Sequence, residues 1–201
     1  MKINLYKDGI GSVELVQHMG EDLTVVNSAR VSFGKEKNEM DERDKKLIRY
    51  LINHRHTSTL EHNIVTYRFV VPLFVRSQHH RHRTWSYNEI SRRYTAENLR
   101  FYEPSTFRTQ HKSNRQASNL DESNPVVYSD STAAELVLQH HRQSVKLYND
   151  LMDAGVCREQ ARGVLPQNLY TEYYGTCNLN NLIKFLKIHK LCVEKIAISE
   201  I

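Results

Sequence analysis

The sequence has little of what fixes small proteins covalently or holds nucleotides by glycine. Its three cysteines, Cys157, Cys177 and Cys192, lie far apart and form no C-x-x-C pair. An odd count without framework spacing argues against a disulfide scaffold or a zinc ribbon, and isolated reduced thiols are expected. No G-x-G-x-x-G and no G-x-x-x-x-G-K-[ST] occurs. If a dinucleotide binds, arginine, histidine and hydroxyl side chains have to hold its phosphates instead of a Rossmann or P-loop backbone. No run of about 18 apolar residues is present, so no membrane span is expected. The start, Met1-Lys2-Ile3-Asn4-Leu5, lacks the apolar core of a signal peptide, and cytoplasmic residence is the expectation. Internal repeats and low-complexity tracts are missing as well.

What is present fits a globular chain. Hydrophobic residues make up 39% and charged residues 25% of 201 positions, enough for one domain over 1–201 with a single core. The formal net charge is +5 with the eleven histidines neutral. That balance suits an anionic partner: nucleic acid, nucleotide or phosphorylated cofactor.

Residues 2–6 and 12–18 read as strands joined by a turn at Asp8-Gly9-Ile10-Gly11. Residues 41–53 read as a helix, with Leu47, Ile48, Leu51 and Ile52 behind an acidic start at Asp41 and Glu42. Residues 63–75 alternate Val65, Tyr67, Phe69 and Val71 with Thr66 and Arg68, as a long strand does. Residues 105–131 are polar and read as a long surface loop. A capping-box pattern at Thr132 and Glu135 opens a helix that Gly155 stops. Further helices fit 157–165 and about 180–192. Strands first and helices after predict a single α+β domain, with a mainly antiparallel sheet and packed helices.

Chemistry concentrates in residues 76–94. Arg76, Arg81, Arg83, Arg92 and Arg93 stand there with His79, His80, His82, Gln78 and Asn88. Guanidinium groups hold phosphates through paired charge-assisted hydrogen bonds, and Ser86 and Ser91 could complete a shell. Glu89, an acceptor among cations, could bind a sugar hydroxyl or fix an arginine. On the residues alone three other readings stay open: a solvated basic face, a nucleic-acid surface using Trp85, Tyr87 and Tyr94, or a metal site from the histidines. Adjacent histidines on a strand would point apart, and no carboxylate at helical spacing completes a metal shell. A second cluster, His54 to His62, could do acid–base work or bind a cofactor; a charged surface turn is its bland reading.

Arg81-His82-Arg83-x-x-Ser86-x-Asn88-Glu89-x-Ser91-x-Arg93-Tyr94 resembles the R-H-R-x-x-S-x-N-E-x-S-x-R-Y signature of flavin-dependent thymidylate synthases. Ala29-Arg30-Val31-Ser32-Phe33, His56 to His62, and Ala161-Arg162-Gly163-Val164-Leu165-Pro166 with Asn168 to Thr171 resemble further family segments. The resemblance runs over about 1–189 and implies an α+β domain, a homotetramer with FAD sites between subunits, and no cysteine nucleophile. It implies no nucleic acid, membrane or metal partner. It also implies dUMP as substrate, with NADPH and methylenetetrahydrofolate as co-substrates.

Carried over by residue, it implies that Arg81, His82, Arg83, Ser32, Ser58, Glu61 and Asn178 meet FAD. Glu89 is placed by both ligands. Gln78, Arg81, Glu89, Ser91 and Arg93 would hold dUMP, with Arg162 reaching its phosphate from a neighbouring subunit. Ser91 is a hydrogen-bonding group in this reading, not a nucleophile. His56 would sit near the folate and flavin rings. At the helix following Asn178 the family pattern is altered. Asn180 replaces its first arginine, Lys184 replaces a flavin-contacting asparagine, and His189 replaces the arginine that activates the uracil ring. Residues 190–201 do not match the family's A-Q-x-E-I segment, and the chain is expected to lack its final helix.

Overall fold

The computed structural model describes residues 1–95 and 98–195, with side chains to His189. The side chains of residues 190–201, over which the A-Q-x-E-I comparison runs, therefore fall outside what is described.

A five-stranded antiparallel sheet carries the fold. Its strands are β1 (Lys2–Asn4), β2 (Ser12–Met19), β3 (Ile64–Pro72), β4 (Ser86–Glu89) and a late strand, Tyr170–Asn178, in the spatial order β1-β2-β3-late strand-β4. The helices are α1 (Asp22–Arg30), α2 (Glu42–Asn53), α3 (Leu73–His79), α4 (Ala133–Asp153), α5 (Arg158–Ala161) and α6 (Leu179–Lys195). Three 3-10 turns lie at Val31–Phe33, Thr57–Leu60 and Arg162–Val164. Between β4 and α4 stand two small hairpins, β5 (Phe107–Gln110) with β6 (Ser118–Ser123) and β7 (Val126–Tyr128) with β8 (Ser131–Thr132), so the late strand is β9. No described helix is long and apolar enough to cross a membrane.

Register follows from the alternation in β3. Val65, Tyr67, Phe69 and Val71 face one way, opposite Cys177, Gly175, Tyr173 and Thr171 of β9. That face is the core, completed by Trp85 and by Phe185 from α6. Gly175 lies between Tyr67 and Tyr87 on the neighbouring strands. A Cβ there would come within 3.0 Å of the Phe69 ring and 3.2 Å of Trp85, so only glycine leaves the rings their space. A second cluster of Val25, Leu51 and Leu60 joins α1, α2 and the Thr57–Leu60 turn to the start of α6. The opposite sheet face is polar, with Arg68 held between Glu172 at 2.8 Å and Glu14 at 3.8 Å.

The structure corrects several sequence expectations. The strand expected over 63–75 stops at Pro72, whose φ of −63° and missing N–H make it the residue before α3. His79 and His80 therefore do not splay from a strand; both pack against Tyr87 and Tyr173. The expected loop over 105–131 holds strands whose cross-links are polar, such as Thr106 to Glu122 and Thr109 to Asp121, both at 2.7 Å. The helix expected over 157–165 is the single turn of α5 followed by a 3-10 turn. Strands do not all precede helices, since β9 enters the sheet last and lies between β3 and β4. Asp41 caps α2 and Thr132 caps α4 with Glu135, as the acidic start and the capping box foretold.

Candidate active site

The first cleft opens where β4, β9, α3 and α5 meet. Its volume is about 590 Å³, and Arg76, Glu89, Ser91, Arg93 and Arg162 all line it. Glu89 comes from β4 and is fixed there: its Oε1 accepts from Arg76 Nε at 3.0 Å and from Thr171 Oγ1 at 2.6 Å. Of the two roles open to Glu89, the structure shows that of fixing an arginine. Ser91 opens the turn after β4; its carbonyl accepts from the backbone of Tyr94 at 3.0 Å and its Oγ from that of Arg93 at 3.3 Å. No described histidine or lysine hydrogen-bonds Ser91, so nothing present activates it as a nucleophile. The Arg93 guanidinium lies 5.3 Å from the centre of the Tyr94 ring. Arg162 Nε donates to the Glu159 carbonyl at 3.3 Å, which leaves the rest of its fork for the cleft.

Arg162 lines the same cleft as Ser91 and Arg93 within one chain; the reach into a neighbouring subunit that the resemblance implies belongs to the proposed homotetramer. The Leu169 carbonyl, just before β9, receives Leu73 N at 3.0 Å, which ties the start of α3 to the segment that follows the Arg162 turn. Gln78 is not among the residues of this cleft; it is exposed at the last turn of α3.

The turn between α3 and β4 carries Arg81 and Arg83 exposed, with His82 half-buried between them. The Tyr87 hydroxyl donates to the carbonyls of His79 at 3.0 Å and His82 at 3.1 Å, which fixes this turn. His82 Nε2 lies 3.3 Å from His189 Nε2 of α6, and the ring of Phe185 packs against both. Burial lowers the pKa of each; for His189 the nearby His82 adds to it. His79 is buried in the same aromatic cluster, and its Nδ1 meets the Tyr173 hydroxyl at 2.8 Å. Burial, with the neighbouring imidazoles behind it, pushes His79 down to about 3.

The third group lies at the other end of α6. The buried residues Thr59 and Leu60 anchor the Thr57–Leu60 turn, while Ser58 and Glu61 are exposed. Glu61 Oε1 accepts from Asn180 Nδ2 at 2.9 Å. Ser32 is exposed on its own 3-10 turn, between the exposed Val31 and Phe33. A depression of about 490 Å³ beside it is lined by Ser28, Lys35 and His62. His56 is exposed, with its ring parallel to Tyr50 at 6.1 Å, and no described contact joins it to His82 or His189. Asn178 spends its Oδ1 on Asn181 N at 2.9 Å, capping the start of α6, and Lys184 is exposed. Exposed guanidiniums at Arg81 and Arg83 by one end of α6, and exposed hydroxyls at Ser32 and Ser58 by the other, are donors of the kinds that hold phosphate oxygens.

Three site residues had no assigned role in the sequence reading. Arg76 and Thr171 hold Glu89, and Tyr173 holds His79. Their signal was weak: Arg76 stood in an arginine-rich run, Thr171 was read only as the end of a family-like segment, and Tyr173 was not singled out. Cys177 is buried, and its thiol is pushed up to about 12, which removes it as a nucleophile. Among the described residues no group of three or more histidines, cysteines or carboxylates is placed to hold a metal.

The α+β fold is shared with a solved structure. The UMP/dUMP methylase PolB from Streptomyces cacaoi, bound with 5-Br dUMP, superposes with a TM-score of 0.73 at 34% identity, over 92% of this chain and 79% of that one. The family model described as "Thymidylate synthase complementing protein" matches residues 14–201, and the chain belongs to that family. Among its relatives, the flavin-dependent thymidylate synthase of Thermus thermophilus is 44% identical over 181 residues, 89% of this chain. The chain spans 63% of that relative's length. The Kosmotoga olearia enzyme of the same name is 40% identical over 178 residues, 89% of this chain and 76% of its own.

Proposed function

We propose that this chain is a flavin-dependent thymidylate synthase that reductively methylates dUMP to dTMP. The observation that carries the reading is the convergence of Glu89, Ser91, Arg93 and Arg162 in one cleft, with Arg81, His82 and Arg83 on the turn at the other end of β4. The names of the relatives and of the PolB complex support it. Methylenetetrahydrofolate is the carbon donor and NADPH the reductant in this reading.

In the cleft, Arg93 and Arg162 hold the dUMP phosphate, and Ser91 adds a hydroxyl. Glu89, held by Arg76 and Thr171, is oriented for the sugar or base. FAD, when bound, supplies the reducing hydride; Arg81, His82 and Arg83 hold it with Ser32, Ser58 and Asn178, and Glu61 keeps its turn in place through Asn180. His56 borders the folate. The homotetramer and the cytoplasmic setting belong to the same proposal; the exposed Val31 and Phe33 beside Ser32 favour self-association at the cofactor site.

A second reading is a flavin- and nucleotide-binding homologue with reduced turnover. Asn180, Lys184 and His189 on α6 favour it, because each replaces a residue the family uses. The test is dTMP formation from dUMP, methylenetetrahydrofolate and NADPH by FAD-loaded protein. Product at catalytic rates supports the enzyme. Tight FAD and dUMP binding without product supports the second reading, and uptake of neither ligand rejects both.

A further inference from the structure

Asp44, in the first turn of α2, is the one buried carboxylate among the described residues, and it holds two cations at once. Its Oδ1 accepts from Arg30 Nη2 and its Oδ2 from Lys37 Nζ. The Asp41 amide adds a third donor, to Oδ2 at 3.0 Å. Lys37 foremost, then that amide and Arg30, hold the Asp44 carboxyl well below its ordinary value of 3.8, so it stays ionised at working pH.

The two cations bracket one segment. Arg30 ends α1, and Lys37 follows the Val31–Phe33 turn. Residues 31–36 between them are all exposed, Ser32 included. No side chain of 31–36 hydrogen-bonds or ion-pairs with a described residue, so the segment is placed from its ends. Asn27 fastens the far end to α1: its Nδ2 donates to the Lys37 carbonyl at 2.8 Å, and its Oδ1 accepts from the Lys37 amide at 3.0 Å. Asp44 joins both ends to α2. That helix leads on to the Thr57–Leu60 turn, which carries Ser58. One buried charge thus ties the segment bearing Ser32 to the helix that precedes Ser58.

We propose that Asp44 is a positioning residue for the flavin site: through Arg30 and Lys37, its carboxylate sets where Ser32 meets the cofactor, relative to Ser58. This rests on the reading of Ser32 as a cofactor-binding residue. Both oxygens and the charge are needed. An asparagine of the same volume has one acceptor oxygen, so it serves one cation and turns an N–H donor toward the other. The cation it releases no longer holds its end of the segment, and Ser32 is left without a fixed place.

The experiment is FAD titration, followed by dUMP titration of the FAD-saturated protein, in wild type, Ser32→Ala, Asp44→Asn and the double variant, with folding checked by circular dichroism. Asp44→Asn should bind FAD about tenfold more weakly, with dUMP affinity within about twofold of wild type. Because Asp44 acts through Ser32, the double variant should bind FAD within about twofold of Asp44→Asn. Asp44→Asn that binds FAD as wild type does, or that weakens FAD and dUMP alike, overturns the positioning role. Losses that add in the double variant assign Asp44 to general stability and overturn it as well. Ser32→Ala with unchanged FAD affinity overturns the reading of Ser32, and this inference with it. If Asp44→Asn does not fold, Arg30→Met carries the same comparisons, because it frees the end beside Ser32 and leaves the buried carboxylate paired with Lys37. Unchanged FAD affinity in Arg30→Met then overturns the proposal.

Discussion

Asn180 Nδ2 donates to Glu61 Oε1 at 2.9 Å, tying the first turn of α6 to the turn that follows α2. Asn180 is buried and stands where the resemblance implies an arginine; here a neutral amide makes the contact to Glu61. Replacing it with alanine should cost about 0.5–1.5 kcal/mol of stability, the size of a hydrogen bond with one exposed partner. It should also weaken flavin uptake, because Glu61 and Ser58 share that turn. Chemical denaturation and flavin titration of Asn180→Ala check both, and unchanged flavin affinity would separate the turn from the cofactor.

On the proposed function, Arg81→Ala should lower FAD affinity and leave dUMP affinity nearly unchanged, because Arg81 is exposed on the turn before β4 and is not among the residues of the cleft that holds Arg93 and Arg162. Flavin absorbance after gel filtration reads the first effect and dUMP titration the second. A wild type that takes up no flavin would remove the basis for the comparison and for the proposed function.

Arg93→Ala and Arg162→Ala should each weaken dUMP binding by about 1.5–3 kcal/mol, roughly ten- to a hundredfold. Because both arginines line one cleft of one chain, mixing the two variant proteins should not rebuild a complete site. Restored dUMP binding in the mixed oligomer would mean that the arginines meet across subunits after all.

Much of this cleft was legible because its residues sit at fixed short spacing. Glu89, Ser91 and Arg93 are two residues apart, and a strand end running into a turn delivers them together. That the Arg162 turn borders this cleft was not legible from spacing, since nothing local says which strand a distant turn will border. The fold was legible where one physical period dominated. In β3 the apolar residues alternate, and Thr132 and Glu135 announce α4. β9 hid because both of its faces are used. Glu172 serves the polar face, Thr171 holds Glu89, and Gly175 makes room for rings, so no simple alternation survives. α3 hid because Leu73 to Val75 continue the apolar run of β3, and Pro72 was the one local sign of the change. In α1, Val25 and Val26 are strand-favouring residues that tertiary burial holds in a helix.

His79 gives a pH prediction for stability. Its pKa falls from 6.5 to about 3 on folding because it is buried. A depressed histidine binds its proton more readily in the unfolded chain, so unfolding gains protons and stability falls as pH falls. The contribution is complete above about 6.5 and is lost progressively toward about 3. Thermal melts should therefore show falling stability below about pH 6. His79→Phe, which keeps a ring in the aromatic cluster, should flatten that acid limb, though the Tyr173 hydroxyl loses its partner. An acid limb as steep as that of wild type would assign the sensitivity to other groups.

His189 sets the last prediction. It replaces an arginine that the resemblance places beside the uracil ring, where fixed positive charge favours loss of the ring N3 proton. Arginine is charged at every working pH. His189 starts from an ordinary value of 6.5, and burial and His82 both lower it, so at neutral pH it carries little charge. The groups around it reinforce this. His82 faces it across 3.3 Å, Phe185 packs on its ring, and His79 lies in the same cluster, so no acid among these neighbours supports an imidazolium. A proton that does arrive is shared between the two Nε2 atoms, and its occupancy rises as pH falls below 6.5. On the proposed function, wild-type turnover should be slow at neutral pH, with the help from His189 growing toward about pH 6. His189→Arg should be faster, with the larger gain at high pH, where the wild-type imidazole is neutral. Turnover from about pH 6 to about pH 8.5 in both proteins tests this. A variant slower at every pH, yet still binding FAD and dUMP, would show that the uracil site is organised around the His82–His189 pair and not around a fixed charge.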